Sequence, residues 1–246
     1  MVERRFLGPW RLPVDPYSAE EIVAWVNDPT KTGTITGCNL HSLYLYCVDP
    51  VFRRVYDKSA VSLADGSPIA WLASLAFRKR VQKVGSTDWL RILPPSRAPI
   101  VVIGGSPSVN AEFCRQLHDR EVGTSGIEGI DGYDGLAELL AGRHPIGGPS
   151  AEANLVIVGL GMPLQEHLEA KFRAFFPRSK IALVGGALDQ LVGYQQLAPA
   201  WMRSSGLEWM WRLVRDPKRL AYRYLIEPLK LPVATWRLLR ERRASS

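Results

Sequence analysis

Three stretches of the chain share one hydropathic shape. PIVVIGGSPS (Pro99–Ser108), NLVIVGLGMP (Asn154–Pro163) and KIALVGGALD (Lys180–Asp189) each set a β-branched apolar run ahead of two glycines. A helix-compatible stretch follows each one. Unbroken apolar runs of this length read as strands buried on both faces, as parallel strands are. TGTITGC (Thr32–Cys38) and AVSLAD (Ala60–Asp65) read as two further strands. VGTSGIEGIDGYDG (Val122–Gly135) reads as another strand with a glycine-rich loop. Ser18-Ala19-Glu20-Glu21 is a capping box that opens a helix whose apolar face holds Ile22, Val23, Trp25 and Val26. NLHSLYLYCV and SPIAWLASLAF are helical, the latter with Pro68 in its first turn. Strand, glycine turn and helix in repetition predict an α/β fold: a Rossmann-like, mostly parallel sheet with helices on both faces. This body is expected to span residues 1–198, and residues 199–246 a basic, Trp/Arg-rich helical appendage.

Charge sets the appendage apart. The chain carries 31 Lys+Arg against 24 Asp+Glu, a formal net charge of +7. From Trp201 onward there are eleven basic and four acidic residues, so the whole excess lies there and residues 1–200 are neutral. Four of the eight tryptophans, Trp201, Trp209, Trp211 and Trp236, lie there too. A basic segment on a neutral body is a local binding device rather than a nucleic-acid coat. Its two natural partners are an anionic membrane surface and a phosphate-bearing ligand. Pro228 and Pro232 are expected to interrupt its helices. Beyond them Trp236 and the cations from Arg237 to Arg243 are expected to meet only lipid, and with Leu238 and Leu239 they fit a surface-seeking amphipathic end. Cys38, Cys47 and Cys114 form no CxxC, which argues against a disulfide framework or a structural zinc site. The opening MVERRFLGPW lacks the apolar segment of a signal peptide, and no run is long enough to span a bilayer. A cytoplasmic protein, peripheral on the inner face of the membrane, is expected.

Candidate chemistry follows from where strands end, because parallel α/β sheets bind ligands there. Gly159-Leu160-Gly161 and Gly185-Gly186 offer bare backbone at helix starts, suited to a phosphate or a nucleotide. GxG without a third glycine is no dinucleotide fingerprint, and a tight turn explains it equally. Asp65 is either an ordinary Asp-Gly turn residue or a carboxylate aimed into the cleft as a general base. Asn39 is a helix cap or a ligand contact. Gln165-Glu166 can serve merely to complement a helix dipole. His41, His118, His144 and His167 form no ligand spacing and read as ordinary helix or loop residues, and no Asp-x-Asp supports a metal site.

Taken in order, these motifs resemble the WecG/TagA/CpsF glycosyltransferase family (glycosyltransferase family 26). Thr36-Gly37-Cys38-Asn39, Ala64-Asp65-Gly66 and Val102-Ile103-Gly104-Gly105 come first. Gly159-Leu160-Gly161-Met162-Pro163-Leu164-Gln165-Glu166 and Gly185-Gly186-Ala187-Leu188-Asp189 follow, then Ala198-Pro199 and Gly206-Leu207-Glu208-Trp209. The resemblance implies an inverting transferase without metal or other cofactor. Such enzymes move a sugar from a UDP-sugar to a polyprenyl-diphosphate-linked saccharide in bacterial cell-surface polysaccharide synthesis. It implies Asp65 as catalytic base. Thr36, Asn39, Gln165, Gly104, Gly161, Gly186 and Asp189 are implied at the substrates, with Arg212, Arg219 and Arg223 of the appendage on the diphosphate. Lys83-Val84-Gly85-Ser86-Thr87-Asp88 departs from the family's Arg-Val-(Ser/Thr)-Gly, and Leu197 stands where an Arg is usual. The expected partners are the donor, the lipid-linked acceptor and the anionic membrane, not nucleic acid; self-association is left open. The alternatives are another nucleotide-binding Rossmann-like enzyme, such as an oxidoreductase, and a non-enzymatic anionic-lipid or nucleic-acid binder.

Overall fold

The computed structural model describes residues 5–144, 152–195, 198–199, 201–202 and 207–244. A hairpin of β1 (Arg5–Leu7) and β2 (Leu12–Val14) leads into α1 (Ala19–Asn27), opened by the expected capping box at Ser18. Then follow β3 (Gly33–Cys38), α2 (Leu40–Val48), α3 (Pro50–Lys58), β4 (Val61–Ala64), α4 (Ser67–Phe77) and α5 (Ser86–Leu90). The second half of the body holds β5 (Ile100–Gly104), α6 (Pro107–Asp119), β6 (Ile127–Ile130), α7 (Asp134–Leu140), β7 (Leu155–Gly159), α8 (Leu164–Phe175), β8 (Lys180–Leu183) and α9 (Ala187–Leu191). The carboxyl end is helical: α10 (Glu208–Arg215), α11 (Pro217–Ala221), a π-helical turn (Tyr222–Ile226) and α12 (Glu227–Ala244).

Strands β3 to β8 form one parallel sheet in the order β4-β3-β8-β7-β5-β6. Alternate residues of each apolar run supply opposite faces, as a pleated strand requires. Ile100, Val102, Leu155 and Ile157 pack with α1, α5, α6 and α9. Val101, Ile103, Val156 and Val158 pack with α7 and α8 on the other side. A third cluster joins the hairpin, α2, α3 and α4 to Ala234 and Leu238 of α12. The order reverses where β8 lies between β3 and β7, and this switch point carries the site.

Two expectations about the carboxyl end are overturned. Its helix does not stop at the prolines: α12 runs through Pro232, and Pro228 is its second residue. Helical backbone runs unbroken from Pro217 through the π-helical turn into α12, so Pro228 and Pro232 both lack the N–H that an interior position uses. Burial of Ala234 and Leu238 against the body outweighs that loss. Nor is the distal end free for lipid alone. Leu238 is fully buried, the Trp10 indole donates to Thr235 Oγ1 at 2.7 Å, and Arg242 donates to the Trp10 carbonyl at 2.7 Å. Among the described residues no helix is long and apolar enough to cross a membrane.

Candidate active site

Four adjacent strands, β4, β3, β8 and β7, deliver the site at their carboxyl ends. Asp65 follows β4 directly and is half-buried. Its carboxylate sits in a slot between two glycines of neighbouring segments. A Cβ on Gly37 would stand 3.2 Å from Oδ2, and one on Gly85 3.0 Å from Oδ1. Any side chain at either position would crowd the carboxylate. The chain then turns through Gly66 at φ +131°, a conformation that favours glycine, into α4.

Asn39 is a helix cap that also lines the cleft. Its Oδ1 caps α2 by accepting from the Ser42 N–H at 3.1 Å, and also accepts from Arg223 Nη2 at 3.4 Å. Gln165 bridges two strand-end loops: Oε1 accepts from the Gly185 N–H at 3.0 Å, and Nε2 donates to Glu166 Oε1 at 3.0 Å. Gly161, at φ +78°, and Gly186 expose bare backbone beside it.

These residues frame two cavities. One, of about 290 Å³, lies over the strand ends and is lined by Gly161, Gln165, Gly185, Gly186 and Gln190. The other, of about 410 Å³, opens between the start of α4 and the carboxyl-terminal helices, against Pro68, Trp209, Tyr224 and Pro228. Asn39, Asp65, Lys83, Arg212 and Arg223 line both. Asp65 therefore stands where the two cavities meet.

The arginines reach this junction from the carboxyl-terminal helices. Arg212 donates to Gln190 Oε1 at 2.8 Å, and Gln190 Nε2 donates to the Gly186 carbonyl at 3.1 Å. Arg223 lies in the π-helical turn, where Glu227 N–H reaches back to the Tyr222 carbonyl. Such turns re-aim side chains, often at functional sites. Burial pulls the Arg223 guanidinium below its ordinary pKa, against the opposing pull of Tyr224, Asp65 and Glu227. Its Nε is buried without a hydrogen bond among the described residues. An arginine stays charged nonetheless, so a buried cation faces the cleft. The side chain of Arg219 lies outside the described residues.

Three expected site residues lie elsewhere. Thr36 is buried under the sheet end, 3.0 Å from Ser62 Oγ, and lines neither cavity. Strand alternation explains this: Gly37, its neighbour, is the residue that faces the cleft. Gly104 meets the Gly159 backbone so closely that a Cβ would come within 2.4 Å of its carbonyl oxygen, a packing role. Asp189 also lies off both cavities; its backbone carbonyl accepts from the Gln195 N–H at 2.9 Å.

Two buried ionisable groups near the cleft were not legible in the sequence. Glu166 does not merely complement a helix dipole: it is buried, and its Oε2 makes no hydrogen bond among the described residues. Burial pushes its carboxyl pKa up to about 7, and the Asp49 charge adds to this. Its bonds to Gln165 and the backbone, with the Arg223 charge, pull the other way. His41 is no ordinary helix residue. Its Nδ1 lies 2.6 Å from Glu227 Oε2, joining the first turn of α2 to that of α12 beside Arg223. Burial lowers the His41 pKa, and Glu227 partly offsets it. Among the described residues no three His, Cys, Asp or Glu side chains converge as a metal-binding set.

Fold and candidate site together define an α/β protein with paired cavities over the carboxyl ends of a parallel sheet. The model of the Glycosyl transferase WecG/TagA/CpsF family matches residues 8–246, essentially the whole chain. The chain belongs to that family, and is a glycosyltransferase of cell-surface polysaccharide synthesis. Membership decides against the oxidoreductase and non-enzymatic alternatives.

Proposed function

We propose that this glycosyltransferase inverts the anomeric centre as it moves a sugar from a UDP-sugar to a polyprenyl-diphosphate-linked saccharide. The observation that carries the reading is the position of Asp65 at the junction of two cavities, with two arginines beside it. The donor's diphosphate lies over Gly161 and Gly185-Gly186, whose bare backbone admits phosphate closely. The acceptor enters the second cavity, past Trp209, Tyr224 and Pro68. Asp65 takes the proton of the acceptor hydroxyl as that oxygen bonds to the anomeric carbon. The bond from that carbon to the diphosphate breaks, and UDP departs with the electron pair. Arg212 and Arg223 stabilise the charge that develops on the leaving group, by bidentate contact with its oxygens. No metal ion is required in this scheme. The body and the carboxyl-terminal helices thus form one catalytic unit, which works at the inner face of the cytoplasmic membrane.

Filling each cavity separately tests the assignment. Ser86→Trp should abolish the thermal stabilisation given by UDP, because Ser86 lines only the strand-end cavity. Ser67→Trp, in the second cavity alone, should keep UDP binding and raise KM for a soluble acceptor analogue. Equal loss of UDP binding in both variants would overturn the division.

A further inference from the structure

Helix α4 is uncharged and apolar over most of its circumference, and yet lies at the surface. Its eleven residues, Ser67 to Phe77, include no charged side chain. Ile69, Ala70 and Ala73 face the body and are buried, while Trp71 and Leu75 on the opposite side are 67% and 68% exposed. A helix this apolar belongs in a core or against lipid. Exposing an indole and a leucine one turn apart to water is costly unless something covers them.

Charge identifies what covers them. Between Asp65 and Asp88 there is no acidic residue, but Arg78, Lys79, Arg80 and Lys83 follow the helix directly. Arg78, Lys79 and Arg80 are exposed. An apolar face with an indole, closed by a cluster of cations, is the composition of an element lying in the interface of an anionic bilayer.

Placement makes this surface continuous with the acceptor cavity. Pro68, at the start of α4, and Pro228, at the start of α12, line that cavity together. The far ends of both helices meet the same β1-β2 hairpin: Arg5 donates to the Phe77 carbonyl at 3.5 Å, and Arg242 of α12 donates to the Trp10 carbonyl at 2.7 Å. The two helices therefore run from one cavity mouth to one hairpin. The undocked side of α12 presents Leu229, Val233 and Trp236, all exposed, with Arg240 stacked 4.7 Å over the Trp236 ring.

We propose that α4 and the basic turn after it form a membrane-docking surface on the body itself, seated on anionic lipid beside the acceptor cavity. The inference rests on the acceptor assignment above only for its purpose; lipid binding is read without any substrate. A bilayer lying across both helices would bring a lipid-linked saccharide to the cavity mouth without leaving the interface. The carboxyl-terminal segment is then one of two supports.

Vesicle cosedimentation of the full chain tests this, with vesicles of phosphatidylcholine alone and of phosphatidylcholine and phosphatidylglycerol in equal parts. Trp71→Ser/Leu75→Ser should lower partition onto the anionic vesicles by about tenfold or more, with the melting temperature and UDP binding retained. Arg78→Gln/Lys79→Gln/Arg80→Gln, at exposed positions that cannot disturb the core, should lower it by up to about a hundredfold and abolish the preference for anionic lipid. Unchanged partition in the triple variant overturns the proposal, whatever happens to transfer activity. So does a double variant that changes only the sedimentation coefficient, which would make α4 a contact between copies of the chain. Loss of UDP binding in wild-type protein, with lipid binding as expected, would sink the transferase mechanism and leave this surface standing.

Discussion

Glu166 offers a quantitative test, because its cost to the fold depends on pH with a definite sign. Burial raises its pKa from 4.5 to about 7 in the folded chain. The unfolded chain therefore gives up this proton more readily, and the folded state is penalised as pH rises. The sequence of effects is fixed: no cost below the unfolded value, growing cost from there to the folded value, and a constant cost above it. The separation corresponds to about 3 kcal/mol. Glu166→Gln removes the ionisation while keeping an oxygen that accepts from Gln165. Relative to wild type, the variant should gain about 3 kcal/mol between about pH 4 and about pH 8. For a chain of this size that is a relative rise in melting temperature of roughly 6–12 °C. Thermal denaturation of both proteins at both pH values measures it, and all other titrations cancel in the difference. If the gap between variant and wild type is the same at the two pH values, Glu166 is already ionised at low pH, and the description of it as a desolvated carboxyl is wrong.

Other consequences follow from the same geometry. His41→Ala strands the buried Glu227 carboxylate and should cost about 1–3 kcal/mol; hydrogen exchange should quicken in the π-helical turn before it quickens in the sheet. Truncation before Val233 removes Ala234 and Leu238 from the third core cluster, at about 2–4 kcal/mol. Such a chain should lose activity on a soluble acceptor as well as a membrane-embedded one; full activity on the soluble acceptor would mean that α12 is only a lipid anchor. Transfer should persist in excess chelator, because arginine carries the leaving-group charge; restoration of a lost activity by Mg²⁺ or Mn²⁺ would remove Arg212 and Arg223 from that role.

The sheet was legible because three of its strands, β5, β7 and β8, are apolar on both faces and run into glycine, a signal that needs no tertiary information. Asp65 and Asn39 were legible as strand-end polar residues and Gln165 as a first-turn helix residue, and the structure brings all three to one cleft. Thr36 lines neither cavity, since alternation puts Gly37 rather than Thr36 toward the cleft. Glu166 was read as complementing a helix dipole and His41 as an ordinary helix residue, because burial of an ionisable side chain depends on partners distant in sequence. Glu227 reaches His41 across 186 residues, and no local pattern announces that pairing. Proline at 232 misled for a related reason: a local rule about helix breaking yielded to packing against α2. The basic turn after α4 was hidden by bookkeeping, since a body neutral in sum holds a segment of four cations and no acid.

The central claim is that Asp65 removes the acceptor proton at the meeting point of two cavities. Asp65→Asn keeps the shape of the slot between Gly37 and Gly85 but cannot accept that proton. Donor binding by calorimetry should stay within about twofold of wild type, while turnover at saturating donor and acceptor falls by roughly 10²–10⁴-fold. Near-normal turnover in Asp65→Asn, with donor affinity intact, would contradict the account.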